Sequence, residues 1–509
     1  MSTKQSKIDP LAYGIEVTTK VYVSIMIGIF PLFYLNNYIN ILEAKTIFFK
    51  VMTIAFIIIV SCLLLLALVQ KKYTVITDKK NKMSKTDICA VGFAVVILIS
   101  CILSPAGSEA FWGKEGRLLG GFVLLLCIGS YMIISRCFRP YQGLIWIFLA
   151  ANAIQWILVI LQFWDIDLLN MYENIDVTQR TSFLGTMGNV NFISGYTSVV
   201  LGILMAFYFQ IEGKLSKICY GTAIGIGFCA AHATRSQSWI LGIGAAAIIL
   251  LWNGAEKAEK LKKLGEIWSI FLISSVLFQT TIQITEALGL SFKAVRDLKV
   301  DKLLTFILSW KVLLVQAICI FLWFLFVHKY QEKYSRLLKK IILMIGIIGA
   351  AAIIIMVFPL EDSYGSGRGY IWRVTIAEFS KLPILQKIFG YGPNCFFQFI
   401  SPNRGEEMLQ LFGNYFADAH NDLLQFLAVT GILGVISYFG MQISVLARCI
   451  KSRNKSTVLL AGVAGVAAYM AQGLVNNIQI VVIPLLFIFL AIMENIVRCK
   501  TDDSELNKN

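Results

Sequence analysis

Ala417-Asp418-Ala419-His420-Asn421-Asp422-Leu423-Leu424-Gln425 closes a polar stretch and opens a hydrophobic one. His420 is one of three histidines in 509 residues. An imidazole titrates near neutral pH, so it can take a proton from a reacting hydroxyl. Upstream, Gly365-Ser366-Gly367-Arg368-Gly369-Tyr370-Ile371-Trp372-Arg373 puts two arginines on the same polar stretch. A guanidinium stays charged and grips phosphate oxygens through two parallel N–H bonds. A base and phosphate-binding cations on one segment are the parts needed to transfer a group from a phosphate-activated lipid.

The elements that must position these residues are membrane helices. The chain is 57% hydrophobic and 15% charged. Apolar runs long enough to cross a bilayer recur at 21–36, 51–69, 88–104, 118–135, 141–163, 192–211, 218–233, 237–252, 267–288, 304–327, 341–358, 423–446, 458–475 and 480–496. Backbone amides in hydrocarbon must bond internally, so an all-α polytopic membrane protein of about 12–14 transmembrane helices is expected. The pair 218–252 reads either as two spans or as one re-entrant unit. No cleavable signal peptide is expected, because the first twenty residues are polar. The expected organisation is a cytoplasmic tail (1–20), a helix bundle (21–358), one large extracytoplasmic catalytic loop (359–420), C-terminal helices (421–497) and a second cytoplasmic tail (498–509).

The net charge of +15 would also fit a nucleic-acid binder, but its distribution does not. With the N-terminus inside, inner connections carry 29 of the 45 Lys and Arg, outer ones 15, and Lys311 lies within a span. That excess is the positive-inside bias, so the charge is topological and no nucleic-acid partner is expected. The eleven cysteines form no CxxC pair and read as small apolar helix residues. By this topology Arg117, Arg180, Arg235, Arg368, Arg373 and His420 all fall on the outer face of the cytoplasmic membrane.

The motifs around these residues resemble those of the O-antigen ligase and polymerase family of bacterial envelope glycan enzymes. Trp112-Gly113 with Arg117 and Gly120-Gly121 looks like the family's early arginine motif. Gly188-Asn189-Val190-Asn191-Phe192 is similar to its Gly-Asn-Pro-Asn segment, with Val190 in place of proline. Thr234-Arg235-Ser236 followed by Trp239 is similar to its Arg-Ser-Ala-Trp stretch, with one residue more. Arg368 with Trp372, Gly390-Tyr391-Gly392-Pro393-Asn394-Cys395-Phe396, and Ala419-His420-Asn421-Asp422 before Gly431-Ile432-Leu433-Gly434 complete the set, over roughly residues 105–440.

The resemblance implies an inverting membrane glycosyltransferase fold (of the GT-C kind). It implies a glycan donor on polyprenyl pyrophosphate and a lipid or glycan acceptor. His420 is then expected as the catalytic base. Arg117, Arg180, Arg235, Arg368 and Arg373 are expected to bind the pyrophosphate, and no cofactor is expected. Asn189 and Asn191 either bond sugar hydroxyls or cap a helix, and Asn421 caps the helix after His420. Asp165-Ile166-Asp167 could hold a divalent cation but reads more simply as a solvated turn. Lys293, Arg296, Lys299 and Lys302 read as a solvated helical face. Two other classes stay open. A lipid-linked oligosaccharide flippase would need charges within its spans, and a glycan-binding membrane protein would not need the histidine and arginine set.

Overall fold

The computed structural model describes residues 9–72, 82–114, 116–357, 361–362, 364–452, 456–476 and 479–499. These residues form twenty α-helices and one two-stranded antiparallel hairpin, Phe183–Leu184 with Gly188–Asn189. Among the described residues, seven helices are long and apolar enough to cross a membrane, and three more are shorter and apolar. The protein is an all-α polytopic membrane protein.

Each of the fourteen expected spans overlaps helix among the described residues, several helices start earlier than expected, and three departures matter most. The first helix is Pro10–Gly28, eleven residues ahead of its expected start. Asp9 caps it by accepting from Leu11 N at 2.8 Å, and Pro10 occupies its first turn. Its polar residues are satisfied locally: Thr18 and Thr19 hydroxyls bond the carbonyls of Gly14 and Ile15, and Lys20 pairs with Glu16 at 2.7 Å. The expected span 304–327 is two helices, Lys302–Leu308 and Trp310–Lys329, parted at Ser309. Helix Asp422–Lys451 is broken at Gly431, whose φ is 69°. The pair at 218–252 resolves into two helices, Lys214–Ala233 and Ser238–Gly254, joined through Arg235 at φ 55°.

Helix Val190–Gln210 is the hub and is buried along its whole apolar window. It packs on Thr457–Gly473, Ser238–Gly254 and Lys214–Ala233. Small residues at the crossings permit close approach: a Cβ on Gly242 would lie 2.4 Å from Ser198 Oγ.

The segment expected as one large loop carries three helices, Tyr364–Lys381, Ile384–Phe389 and Phe396–Phe412. The first and third share an apolar core of their own, with Tyr370, Ile371, Trp372, Phe396 and Ile400 buried beside Leu424 and Ala428. Their anchor is the break at Gly431. A broken helix leaves carbonyls without partners. Here Ala428 O accepts Tyr391 N at 2.9 Å and Val429 O accepts Gly392 N at 3.0 Å. Ser104 closes the joint by donating to Tyr391 O at 2.7 Å. Both chains are glycine at the contact because neither has room for a side chain. A Cβ on Gly390 would fall 2.3 Å from the Val429 backbone, and one on Gly431 would fall 2.4 Å from Ile388 O.

Candidate active site

His420 sits where the helical segment meets helix Asp422–Lys451, and its backbone is held at every step. Ala419 O accepts Trp372 Nε1 at 2.8 Å, and Ala419 N donates to Gln425 Oε1 at 2.9 Å. Asn421 caps the helix, accepting Leu424 N at 3.0 Å and donating to Leu474 O at 2.8 Å. Between these fixed points His420 is left-handed, with φ 47°, a conformation that costs a non-glycine residue about 1–2 kcal/mol.

Asp418, wholly buried, divides its carboxylate between two partners. Oδ1 accepts His420 N at 2.9 Å and lies 3.5 Å from His420 Nδ1. Oδ2 accepts Arg117 Nε at 2.6 Å, with Nη2 at 2.5 Å. One buried acid thus joins the imidazole to an arginine three hundred residues earlier in the chain. His420 Nδ1 is buried without a hydrogen bond, while 21% of the side chain stays exposed. Burial pushes the imidazole below its ordinary range. The charge of Asp418 opposes that shift, and those of Arg368 and Arg117 add to it. The imidazole is therefore neutral near pH 7 and able to accept a proton.

Arg117 reaches Asp418 because its loop is tied down. Leu119 N donates to Asn394 Oδ1 at 3.0 Å, and Asn394 Nδ2 donates to Glu109 Oε1 at 2.8 Å. Gly113 and Gly120 face one another too closely for any Cβ. The guanidinium also lies 5.3 Å from the Phe192 ring centroid. Arg368 arrives by a different route. Trp372 anchors its helix to Ala419, and four residues earlier on the same face is Arg368. Phe416 fills the gap: it packs 6.2 Å from the His420 ring, and Gly367, at φ 89°, leaves room for it.

The other expected residues lie in a second group or point elsewhere. Arg235 is nearly buried, pairs with Asp297 at 3.2 Å and donates to Thr181 O. Arg180 lies over Tyr172 at 5.8 Å. Lys293 bonds Thr181 Oγ1 at 3.0 Å, so this group ties the 165–183 segment to helix Lys293–Val300. Arg373 is half exposed and forks onto Asp362 at 2.7 and 3.0 Å. Asn189 caps helix Val190–Gln210 by accepting Asn191 N at 2.9 Å. Asn191 accepts Ser236 Oγ at 2.7 Å, and its carbonyl accepts Asn476 Nδ2 at 2.8 Å. Asp167 spends its carboxylate on Tyr172 N at 2.7 Å and Gln162 Nε2 at 3.3 Å, the geometry of a turn.

Asp418 lies within the Ala417–Gln425 segment, where rarity does not distinguish it. Its signal was the alternation Asp418-Ala419-His420, which puts the carboxylate two residues before the histidine. Asp422 is a second such residue. Its Oδ2 accepts Tyr469 OH at 2.6 Å, and Tyr438 OH lies 2.9 Å from Tyr469 OH.

Residues 222–439 match the family described as O-Antigen ligase. That part of the chain belongs to the O-antigen ligase family. The match contains Arg235, Arg368, Arg373, His420 and Asn421, while Arg117, Arg180, Asn189 and Asn191 precede it. No curated protein matches the chain. O-antigen ligases are membrane glycosyltransferases of envelope glycan biosynthesis. The segment outside the match is not a separate unit: Arg117 enters the same cluster through Asp418.

Proposed function

We propose that this protein transfers a glycan from polyprenyl pyrophosphate to an acceptor hydroxyl at the outer face of the cytoplasmic membrane. The observation that carries this reading is Asp418 held between His420 and Arg117. His420 takes the proton of the acceptor O–H as that oxygen bonds the anomeric carbon. The bond from that carbon to the phosphate oxygen breaks, and its electron pair leaves with the polyprenyl diphosphate. One displacement of this kind inverts the anomeric centre. Asp418 steadies the imidazolium that forms, and Arg117 and Arg368 stabilise the growing charge on the diphosphate. Arg180 and Arg235 brace the wall beside this centre, and Arg373 stands further out. The excess of Lys and Arg on the alternate connections supports cytoplasmic termini and an extracytoplasmic site.

The test is transfer by the purified protein in nanodiscs, with a polyprenyl-pyrophosphate glycan pool and each candidate acceptor, run with and without EDTA. Wild type should move glycan to acceptor and His420→Ala should not. A ligase puts the glycan on a lipid or surface anchor, and a polymerase of the same family lengthens another lipid-linked glycan. Movement of the lipid-linked glycan across the membrane with no new glycosidic bond would overturn the reading in favour of a flippase.

A further inference from the structure

Beside Arg117 lies an open cleft of about 840 Å³, between helix Ile41–Val69 and the loop that follows Trp112. Its lining includes Lys50, Lys114, Arg117 and Asn189, with Ile47 and Trp112 among its apolar residues. Among the described residues, Glu43 is the acidic residue in that lining. Lys50 is the tenth residue of its helix, about 14 Å from the helix start. Lys50 directly precedes the expected span 51–69 and is half-buried, so its ammonium calls for an anion or a route to water. Lys45, on the same helix, shows what a structural lysine does: it is fully buried and donates to Phe30 O at 2.7 Å and Pro31 O at 2.8 Å. Lys50 and Lys114 have no such use. Among the described residues neither has a carboxylate partner, and Lys50 rests 6.0 Å from the Phe122 ring centroid.

The same helix supplies an apolar track. Ile47, Val51, Ile58 and Leu65 recur at helical spacing and are 48%, 59%, 56% and 60% exposed on the protein surface. A cationic cleft opening beside an unburied apolar helix face matches a ligand with a diphosphate head and a hydrocarbon tail. We propose that this cleft is the port for a membrane-anchored diphosphate, with Lys50 and Lys114 as its first phosphate-binding groups and Arg117 as its last. The port rests on the donor class proposed above and adds the route and two binding residues.

The experiment is equilibrium binding of radiolabelled farnesyl diphosphate to the full chain in phosphatidylcholine nanodiscs. The variants are Lys50→Met, Lys114→Met, the double variant and Lys50→Arg, each with a thermal transition to report folding. Each Met variant should weaken binding by about tenfold, the loss expected for one charge-assisted contact. Lys50→Arg should stay within a few-fold of wild type. Inorganic pyrophosphate should compete far more weakly than unlabelled farnesyl diphosphate. Unchanged affinity in either folded Met variant overturns the port. Equal competition by inorganic pyrophosphate overturns the lipid assignment and leaves a site for free phosphate. Loss of binding in phosphatidylglycerol discs would make the lysines headgroup anchors instead. His420→Ala should bind like wild type. Lysine-dependent binding without any transfer by wild type would sink the transfer reading and leave the port standing.

Discussion

Two ionic clusters occupy opposite ends of the same helices, and only one of them is left open. At one end Asp87 and Glu494, both wholly buried, are surrounded by arginines. Asp87 accepts Arg136 at 3.1 Å, Tyr131 OH at 3.0 Å, Ser84 N at 2.8 Å and Arg498. Glu494 pairs with Arg498 at 2.9 Å and Arg448 at 2.8 Å. At the other end Asp418 meets Arg117 and His420. The helices correspond: Arg117 precedes Gly121–Cys137 and Arg136 closes it, and His420 precedes Asp422–Lys451 and Arg448 lies near its far end. The first cluster joins four helices and pairs both of its acids with arginines, although Glu494 Oε2 is buried without a hydrogen bond. The second leaves an imidazole nitrogen unbonded, one residue in a left-handed conformation and a cleft beside its arginine. Buried charge alone does not mark function. Buried charge that remains unspent beside a cavity does.

Substitutions at the two ends should therefore separate activity from stability. His420→Ala should cost about 10²–10⁴-fold in transfer, the usual worth of a general base, with a thermal transition close to wild type. Asp87→Ala should do the reverse. It leaves half-buried Arg136 without its acid and Arg498 with Glu494 alone, a loss of up to about 3–5 kcal/mol, read as a lower denaturation midpoint with transfer per folded molecule retained. If Asp87→Ala abolished transfer in protein that is still folded, the distinction between the two ends would collapse.

Arg117→Lys sharpens the comparison within the open cluster. Lysine keeps the charge and loses the two-pronged contact of Nε and Nη2 with Asp418 Oδ2. Losing a charge-assisted bond worth about 1.5–3 kcal/mol should lower kcat/KM by roughly 10–100-fold. Arg373→Lys, at a half-exposed pair with Asp362, should change it little. Equal effects at the two positions would mean that the link to Asp418 does not matter.

How much of this could be read from the sequence follows from what each feature depends on. The helices were legible because hydrocarbon demands long apolar runs, and such runs are local in sequence. The breaks at Ser309 and Gly431 were not, because apolar composition continues through both. Gly431 is explained only by the Gly390 backbone that packs on it. The start at Pro10 was hidden by Glu16, Thr18, Thr19 and Lys20, which are satisfied within the helix, the threonines by backbone carbonyls and Lys20 by Glu16. In the site, His420 stood out by rarity and Arg117 and Arg368 by motif. Asp418 did not, because an acid next to a helix start reads as a solvated turn until its two partners are seen. Arg235 showed the converse. Its partner Asp297 lies 62 residues on, and no spacing rule connects them.

The smallest expected effect discriminates best, because its sign differs between neighbours. The active imidazole is the neutral one, so kcat/KM should fall as pH drops through the pKa of His420. That pKa is depressed, chiefly by burial, so the acid limb should lie below pH 6.5. Asp418 holds the pKa up, and Arg368 and Arg117 hold it down. Asp418→Asn should therefore move the limb to lower pH, while Arg368→Gln should move it to higher pH, each on top of its own loss of rate. A merely structural role for either residue would lower the rate and leave the limb in place. A limb that moved the same way in both variants would mean that the titrating group lies elsewhere, and His420 would lose its role as the base. The closed cluster supplies the control: Arg448→Gln, at the far end of the same helix, should leave the limb unmoved.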